Sequence, residues 1–181
     1  MGLPQSVVEN ILKFKEDYLK YRKEEEGRKF EEERQSREKE IKNILKKESL
    51  KNLDEVSLLT LANNLYALGW WAKKEWQVKR WIEGTGGIDN LRKNLEELLY
   101  SYRKLEERFD MFRKNVKGMG AAMITEMLAY FNPGEYGIWN KKVKQGLLKL
   151  GINQLKGNID VNKIRISRIS GKDYEAITNT L

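Results

Sequence analysis

The chain has 181 residues, of which 40% are hydrophobic, 10% aromatic and 34% charged, with 35 Lys and Arg against 27 Asp and Glu for a formal charge of +8. That is enough apolar material for one helical domain with an appended arm, and the positive balance favours a polyanionic partner, nucleic acid ahead of an anionic membrane surface. The absence of both Cys and His excludes disulfides, zinc-thiolate sites, thiol nucleophiles and the commonest general base. The charged excess is mostly Lys and Glu, the compositional lean of hyperthermophile proteins. No apolar run reaches the length of a membrane span and no signal-peptide pattern opens the chain, so the expected location is the cytoplasm.

From Ser6 to about Lys47 the pattern predicts one or two long helices. Ser6 with Glu9 three residues on has capping-box spacing. Val8, Ile11, Leu12, Lys15, Tyr18 and Leu19 trace a stripe expected to meet the body. The stretch YRKEEEGRKFEEERQSREKE then carries almost no apolar residue besides Phe30. It reads as a solvated helix laced with i,i+4 ion pairs, or as an arm along DNA or a neighbouring subunit. Gly27 permits a bend in it, and Ile41, Ile44 and Leu45 bring it back to the core.

Asp54 is expected to cap a central apolar helix carrying Val56, Leu58, Leu59, Leu61, Ala62, Leu65 and Leu68, which Gly69 ends. Trp70, Trp71, Trp76 and Trp81 follow within about one helix, interleaved with Lys73, Lys74, Lys79 and Arg80. Such rings either bury against the central helix or stack on an unpaired or flipped base, and Trp71 and Trp76 are the candidates for stacking. Gly84-Thr85-Gly86-Gly87 is a loop. Ile88–Tyr102 and Glu106–Val116 read as amphipathic helices, the second with Phe109, Phe112 and Val116 inward and Arg108, Arg113 and Lys114 outward.

The most informative stretch is KGMGAAMITEMLAYFNPGEYGIWNKKVKQGLLKLG, Lys117–Gly151. Gly118-Met119-Gly120 makes a tight corner between helices, and Ala121, Ile124, Met127, Leu128 and Phe131 share one face of the next helix. Asn132-Pro133-Gly134 ends that helix. A further helix from about Asn140 to Leu150 carries Lys141, Lys142, Lys144 and Lys149, and Gly151 is placed to cap it. A Gly-x-Gly corner that opens a helix leaves backbone N–H groups where the dipole favours an anion, which is the outline of a phosphate site. The candidate DNA-binding residues are Lys117, Gly118, Met119, Gly120, Ala121, Trp139, Asn140, Lys141, Lys142 and Lys144. Trp139 and Asn140 fall where a loop contacting bases would lie. No catalytic residue, metal ligand or cofactor site is expected.

This stretch resembles the helix-hairpin-helix element of DNA-binding proteins, and more broadly the superfamily that includes base-excision glycosylases. The resemblance implies a lysine two residues past the second glycine and an aspartate after the next loop. This sequence has Ala122 and Asn140 at those places, and an amide does not replace the catalytic carboxylate. The longer block Leu58–Gly151, with LYALGWWAKKEWQVKRWIEGTGG and KGMGAAMITEMLAYFNPGEYGIWNKKV, resembles helical N-terminal regions of McrB-type GTPase subunits of modification-dependent restriction systems. That resemblance implies a target-recognition module for DNA, modified duplex included, in antiphage defence. It also implies a separate AAA+ GTPase domain and a nuclease subunit as partners. No GxxxxGK[ST] motif occurs within these residues.

Beyond Asn158 the alternation of Val161 to Ile169 is imperfect and suggests a short edge strand or an extended segment. Ser170-Gly171-Lys172-Asp173 turns into a helical start at Tyr174, and the end at Leu181 reads as a cut within a longer chain. The expected architecture is all-α: a multi-helix domain with a helix-hairpin-helix core and a long charged N-terminal helix, with one short strand near the C-terminus as the only β candidate. Its expected parts are a charged helical arm packing on the core (1–50), a helical DNA-binding core with the helix-hairpin-helix (51–157) and an extended tail leading to a further C-terminal domain (158–181). Two rival functions remain at this level: a glycosylase or lyase using Glu126 or Glu135, and a protein-interaction module.

Overall fold

Helices dominate the computed structural model, which describes residues 4–180. In chain order they are α1 (Gln5–Tyr21), α2 (Glu25–Leu45), α3 (Lys47–Lys51), α4 (Glu55–Asn64), α5 (Lys74–Gly84), α6 (Ile88–Tyr100), α7 (Leu105–Asn115), α8 (Ala121–Phe131), α9 (Lys141–Leu150) and α10 (Gly171–Thr178). A 3-10 turn, Tyr66–Leu68, lies between α4 and α5, and β1 (Gln154–Leu155) pairs antiparallel with β2 (Ile159–Asp160). The chain is all-α with one minimal two-stranded ribbon. Among the described residues no helix is long and apolar enough to cross a membrane.

The periodic stretches fold as their spacing dictates. The Asp54 carboxylate accepts the Ser57 N–H at 2.8 Å and starts α4. Helix α8 begins at Ala121 and stops at Phe131, directly before Asn132-Pro133-Gly134. Gly151, with φ of 85°, closes α9 in the left-handed conformation. On α2, Lys29–Glu25, Arg37–Glu33 and Lys42–Glu38 each form an i,i+4 pair at 2.6 Å, while Ile41 and Leu45 on the inner face are buried. The charged helix is thus a solvated face on a helix whose C-terminal end belongs to the core.

Departures from the sequence expectation have tertiary causes. The helix expected to run to Gly69 breaks after Asn64, because the buried Glu126 carboxylate of α8 accepts the Tyr66 N–H at 2.6 Å and the Ala67 N–H at 2.8 Å. An acceptor from a distant helix caps a turn there that local propensity would have kept helical. On α1 the expected stripe does not bury: Leu12, Tyr18 and Leu19 are exposed, Val8 and Ile11 are half-buried, and Val7 alone is fully buried. Ser6 is not the cap, since the helix starts one residue earlier, after Pro4. Helix α1 is held at its far end by Glu31 of α2, which accepts the Tyr18 hydroxyl hydrogen and pairs with Arg22 at 3.3 Å. Gly27 sits against the Tyr21 carbonyl so closely that a Cβ there would collide with the backbone.

Ile41 and Leu45 bring α2 back to the body, and with Leu50 they join one apolar core with residues of 51–157 and with Ile169, Tyr174 and Ile177. The segment from 158 onward packs on this core. Ser170 and Asp173 form a reciprocal capping box, so α10 begins three residues earlier than expected and docks on α7. Tyr174 stacks on Phe109 with ring centroids 4.8 Å apart and donates its hydroxyl hydrogen to the Gly137 carbonyl at 2.9 Å.

Candidate nucleic-acid interface

The corner between α7 and α8 is built from one buried anchor and two glycines. Helix α7 ends where the Val116 N–H bonds the Phe112 carbonyl, and Gly118 follows at φ of 88°, a left-handed conformation that disfavours any side chain. The Met119 side chain is buried and pins the loop, and Gly120, with φ of −80° and ψ of 163°, becomes the N-cap of α8. The two helices have different principal partners, α6 and α10 for α7, and α2 with the 3-10 turn for α8. They meet at the glycine corner rather than as a closely paired hairpin.

At this corner the start of α8 is left open. Like α1, α2, α3, α5, α6 and α7, and unlike α4, α9 and α10, helix α8 has no side-chain cap, and its first turn carries no acidic residue. Lys117 and Gly118 form a turn, and among the described residues no protein group accepts a hydrogen from the amides of Gly120 to Met123. Gly120 is exposed and Gly118 half-buried. These amides and the aligned dipole of α8 create a local positive potential.

Helix α5 forms the second wall. Gln77 donates its Nε2 hydrogen to the Gly118 carbonyl at 2.6 Å, fixing the corner's orientation. A Cβ at Gly118 would lie 3.2 Å from Cγ of Arg80, and one at Gly84 would lie 2.8 Å from Cβ of Lys117. Arg80 and Lys117 are both exposed, and neither forms an ion pair among the described residues. The Arg80 guanidinium lies 5.5 Å from the centre of the Trp76 ring. An exposed ring, a guanidinium, a lysine and an open helix start therefore form one continuous surface.

The other candidate residues divide. Lys141 and Lys142 are exposed at the start of α9, which is tied to α8 where the Trp139 N–H donates to Oγ1 of Thr125 at 2.9 Å. Lys144 is half-buried and partly engaged: its Nζ donates to the carbonyls of Asn162 at 2.9 Å and Ile164 at 2.8 Å, which leaves one of its three hydrogens. Asn140 is the N-cap of α9, with Oδ1 accepting the Val143 N–H at 3.0 Å. Trp139 does not face solvent, since its ring is 0% exposed. Ala121 also has a buried side chain, so it can contribute only its backbone.

The tryptophans of the α5 region do not behave as one set. Trp81 is fully buried, Trp71 and Trp76 are 49% and 53% exposed, and Trp70 is wholly exposed. Trp70 and Trp71 precede the helix, which starts only at Lys74.

Sequence reasoning missed Arg80 and Gln77 as parts of the corner. The signal was present in outline, because Gln77, Arg80 and Gly84 fall at i, i+3 and i+7 and define one face of α5. Arg108 and Arg113 also turn out otherwise than expected. Arg108 is buried, donating to the Leu98 carbonyl at 2.6 Å, and Arg113 donates to the carbonyls of Ile169 and Ser167.

The two carboxylates considered for catalysis, Glu126 and Glu135, both make hydrogen bonds within the fold. Burial pushes the Glu126 carboxyl above the usual range, opposed by its bonds to the Ala67 and Tyr66 amides. Glu135 is exposed and accepts a hydrogen from Nδ2 of Asn132 at 3.0 Å. Among the described residues no group of acidic side chains is placed to hold a metal ion. No known protein family, no curated protein and no solved structure matches this chain.

Proposed function

We propose that the chain is a non-catalytic DNA-binding domain that grips the phosphate backbone at the glycine corner. The observation that carries this is the run of unpartnered amides at the exposed start of α8, bordered by Lys117 and Arg80. Backbone N–H groups and a helix dipole hold a phosphate without reading the base, and Arg80, Lys117, Lys141 and Lys142 add counterion release. The proposed ligand is therefore a nucleic-acid backbone held in register, with Asn140 and Trp139 playing no part in base recognition.

The resemblance of Leu58–Gly151 to N-terminal regions of McrB-type subunits supports a place in a modification-dependent restriction assembly. In it the domain selects DNA, modified duplex included, while a GTPase domain and a nuclease subunit act on it. Fluorescence anisotropy with a short labelled duplex across a salt series tests the backbone grip. With four cations and one amide-held phosphate, log K should fall with log salt at a slope of about −3 to −4. Affinity that does not change with salt would remove the nucleic-acid role. Repeating the titration with duplexes carrying 5-methylcytosine, 5-hydroxymethylcytosine or N6-methyladenine tests target selection.

A further inference from the structure

Three of the five tryptophans are exposed, and they lie together in sequence at the start of α5. A large ring left in water forgoes burial that it would gain in a core, and such rings mark contact surfaces when they sit beside cations. Trp76 is the best placed of them. It lies one helical turn from Arg80, whose stem touches the glycine corner and whose guanidinium lies over the ring. Trp71 and Trp70 stand on the loop leading into the same helix.

The two sides of Trp76 differ. On the α4 side a shallow groove is lined by Glu55, Glu75 and Glu83, with Lys79 pairing to Glu83 at 3.7 Å. On the other side Arg80, Gln77 and Gly84 face Lys117 and Gly118. Carboxylates on one flank and cations on the other direct a polyanionic backbone toward the corner, leaving the ring open to an uncharged flat group.

Resting on the proposed backbone grip, we infer that the preferred substrate is DNA with unpaired bases next to a duplex. The corner holds the duplex phosphate, and the Trp76 ring, framed by Arg80, stacks on the first unpaired base. Base–aromatic stacking tolerates any sequence because every base offers a π-face, and an adjacent arginine strengthens it. Inside a fully paired duplex every base face is covered by its neighbours, and only the terminal pairs, which stay hydrogen-bonded in the duplex, offer one. Trp71 supplies a second ring for the next base along the strand.

The test compares three labelled probes by anisotropy: a blunt duplex, the same duplex with a short single-stranded overhang, and the overhang strand alone. The protein is used as wild type, Trp76→Ala, Trp76→Phe and Gly120→Asp. Trp76 is half exposed and on the helix surface, so both of its variants should keep the fold, which circular dichroism checks. The overhang duplex should bind about tenfold or more tightly than the blunt one. Trp76→Ala should erase that difference by weakening overhang binding far more than blunt-duplex binding, and Trp76→Phe should restore most of it. Wild-type tryptophan fluorescence should be quenched by the overhang probe and not by the blunt one.

Equal affinity for blunt and overhang duplexes, or a preference untouched by Trp76→Ala, would overturn the stacking inference and leave the corner standing. Gly120→Asp with undiminished affinity for all probes would instead remove the corner. Binding of none of the three would refute both and turn the exposed rings toward a protein partner.

Discussion

Replacing Gly120 by Asp separates a phosphate site from a merely structural corner, because the two roles respond in opposite directions. Gly120 has ordinary extended backbone angles, and the nearest heavy atom to a Cβ there is Cε of Met123 at 3.7 Å, so a side chain fits without strain. Aspartate at an N-cap accepts the N2 or N3 amide, here Ala122 or Met123, and its charge is favourable beside the helix dipole. A cap gain of a few tenths and a dipole gain of 0.3–1 kcal/mol together give about 0.5–1 kcal/mol of added stability. For a domain of this length that raises Tm by about 1–4 °C in calorimetry. The same carboxylate occupies the amides that would hold a phosphate and repels a second anion. Losing a hydrogen-bonded charge contact costs about 1.5–3 kcal/mol, roughly a ten- to hundredfold loss of DNA affinity. Gly120→Ala, which leaves the amides open, should keep nearly full affinity. A Gly120→Asp protein that melts higher and still binds DNA as the wild type does would refute the phosphate role of the corner.

Further outcomes follow from individual contacts. Asn140→Ala removes the cap of α9 and should lower stability by about 1 kcal/mol in urea titration, with DNA affinity unchanged, since Oδ1 of Asn140 is engaged with Val143; a loss of sequence selectivity instead would make it a base contact. Glu126→Ala leaves the Tyr66 and Ala67 amides without their acceptor and should cost about 1–3 kcal/mol in the same assay, whereas an unchanged midpoint would show that the 3-10 turn does not need this carboxylate. The Glu31 carboxyl is held below its usual range, first by the Tyr18 hydroxyl and then by Arg34. A depressed carboxylate contributes stability above its unfolded pKa and loses it as pH falls through the folded value. Limited proteolysis should therefore begin to release α1 only at acid pH below the ordinary glutamate range, and an equally protected α1 there would contradict the tether. Gly27→Ala should loosen the same α1–α2 corner at neutral pH, seen as faster amide exchange in α1 with α8 unaffected.

Local rules made much of this protein legible from sequence. The glycine and proline punctuation of α8, the left-handed cap at Gly151 and the Asp54 cap all depend on neighbours within four residues, and they appear where expected. What sequence did not reveal depends on contacts across long separations. The break in the central helix is imposed by Glu126, about sixty residues away. Lys144 and Arg108 look like solvated cations by periodicity, yet both donate to carbonyls brought to them by the fold. Trp139 was misplaced because an aromatic beside a cap and two lysines reads equally as a surface ring or as the residue that seats the loop. At the candidate site, the corner itself was visible as Gly118-Met119-Gly120, but its wall was not. Arg80 joins it only because α5 lies across the corner, a placement no local pattern encodes.

The most direct test observes the amides themselves. Amide-resolved NMR of the ¹⁵N-labelled chain during titration with a short duplex follows each backbone N–H from Lys117 to Met123. The largest shifts are expected at Gly118, Gly120, Ala121 and Ala122, saturating together and vanishing in Gly120→Asp. Shifts centred on another surface while these amides stay still would contradict the claim that an open helix start holds the DNA backbone.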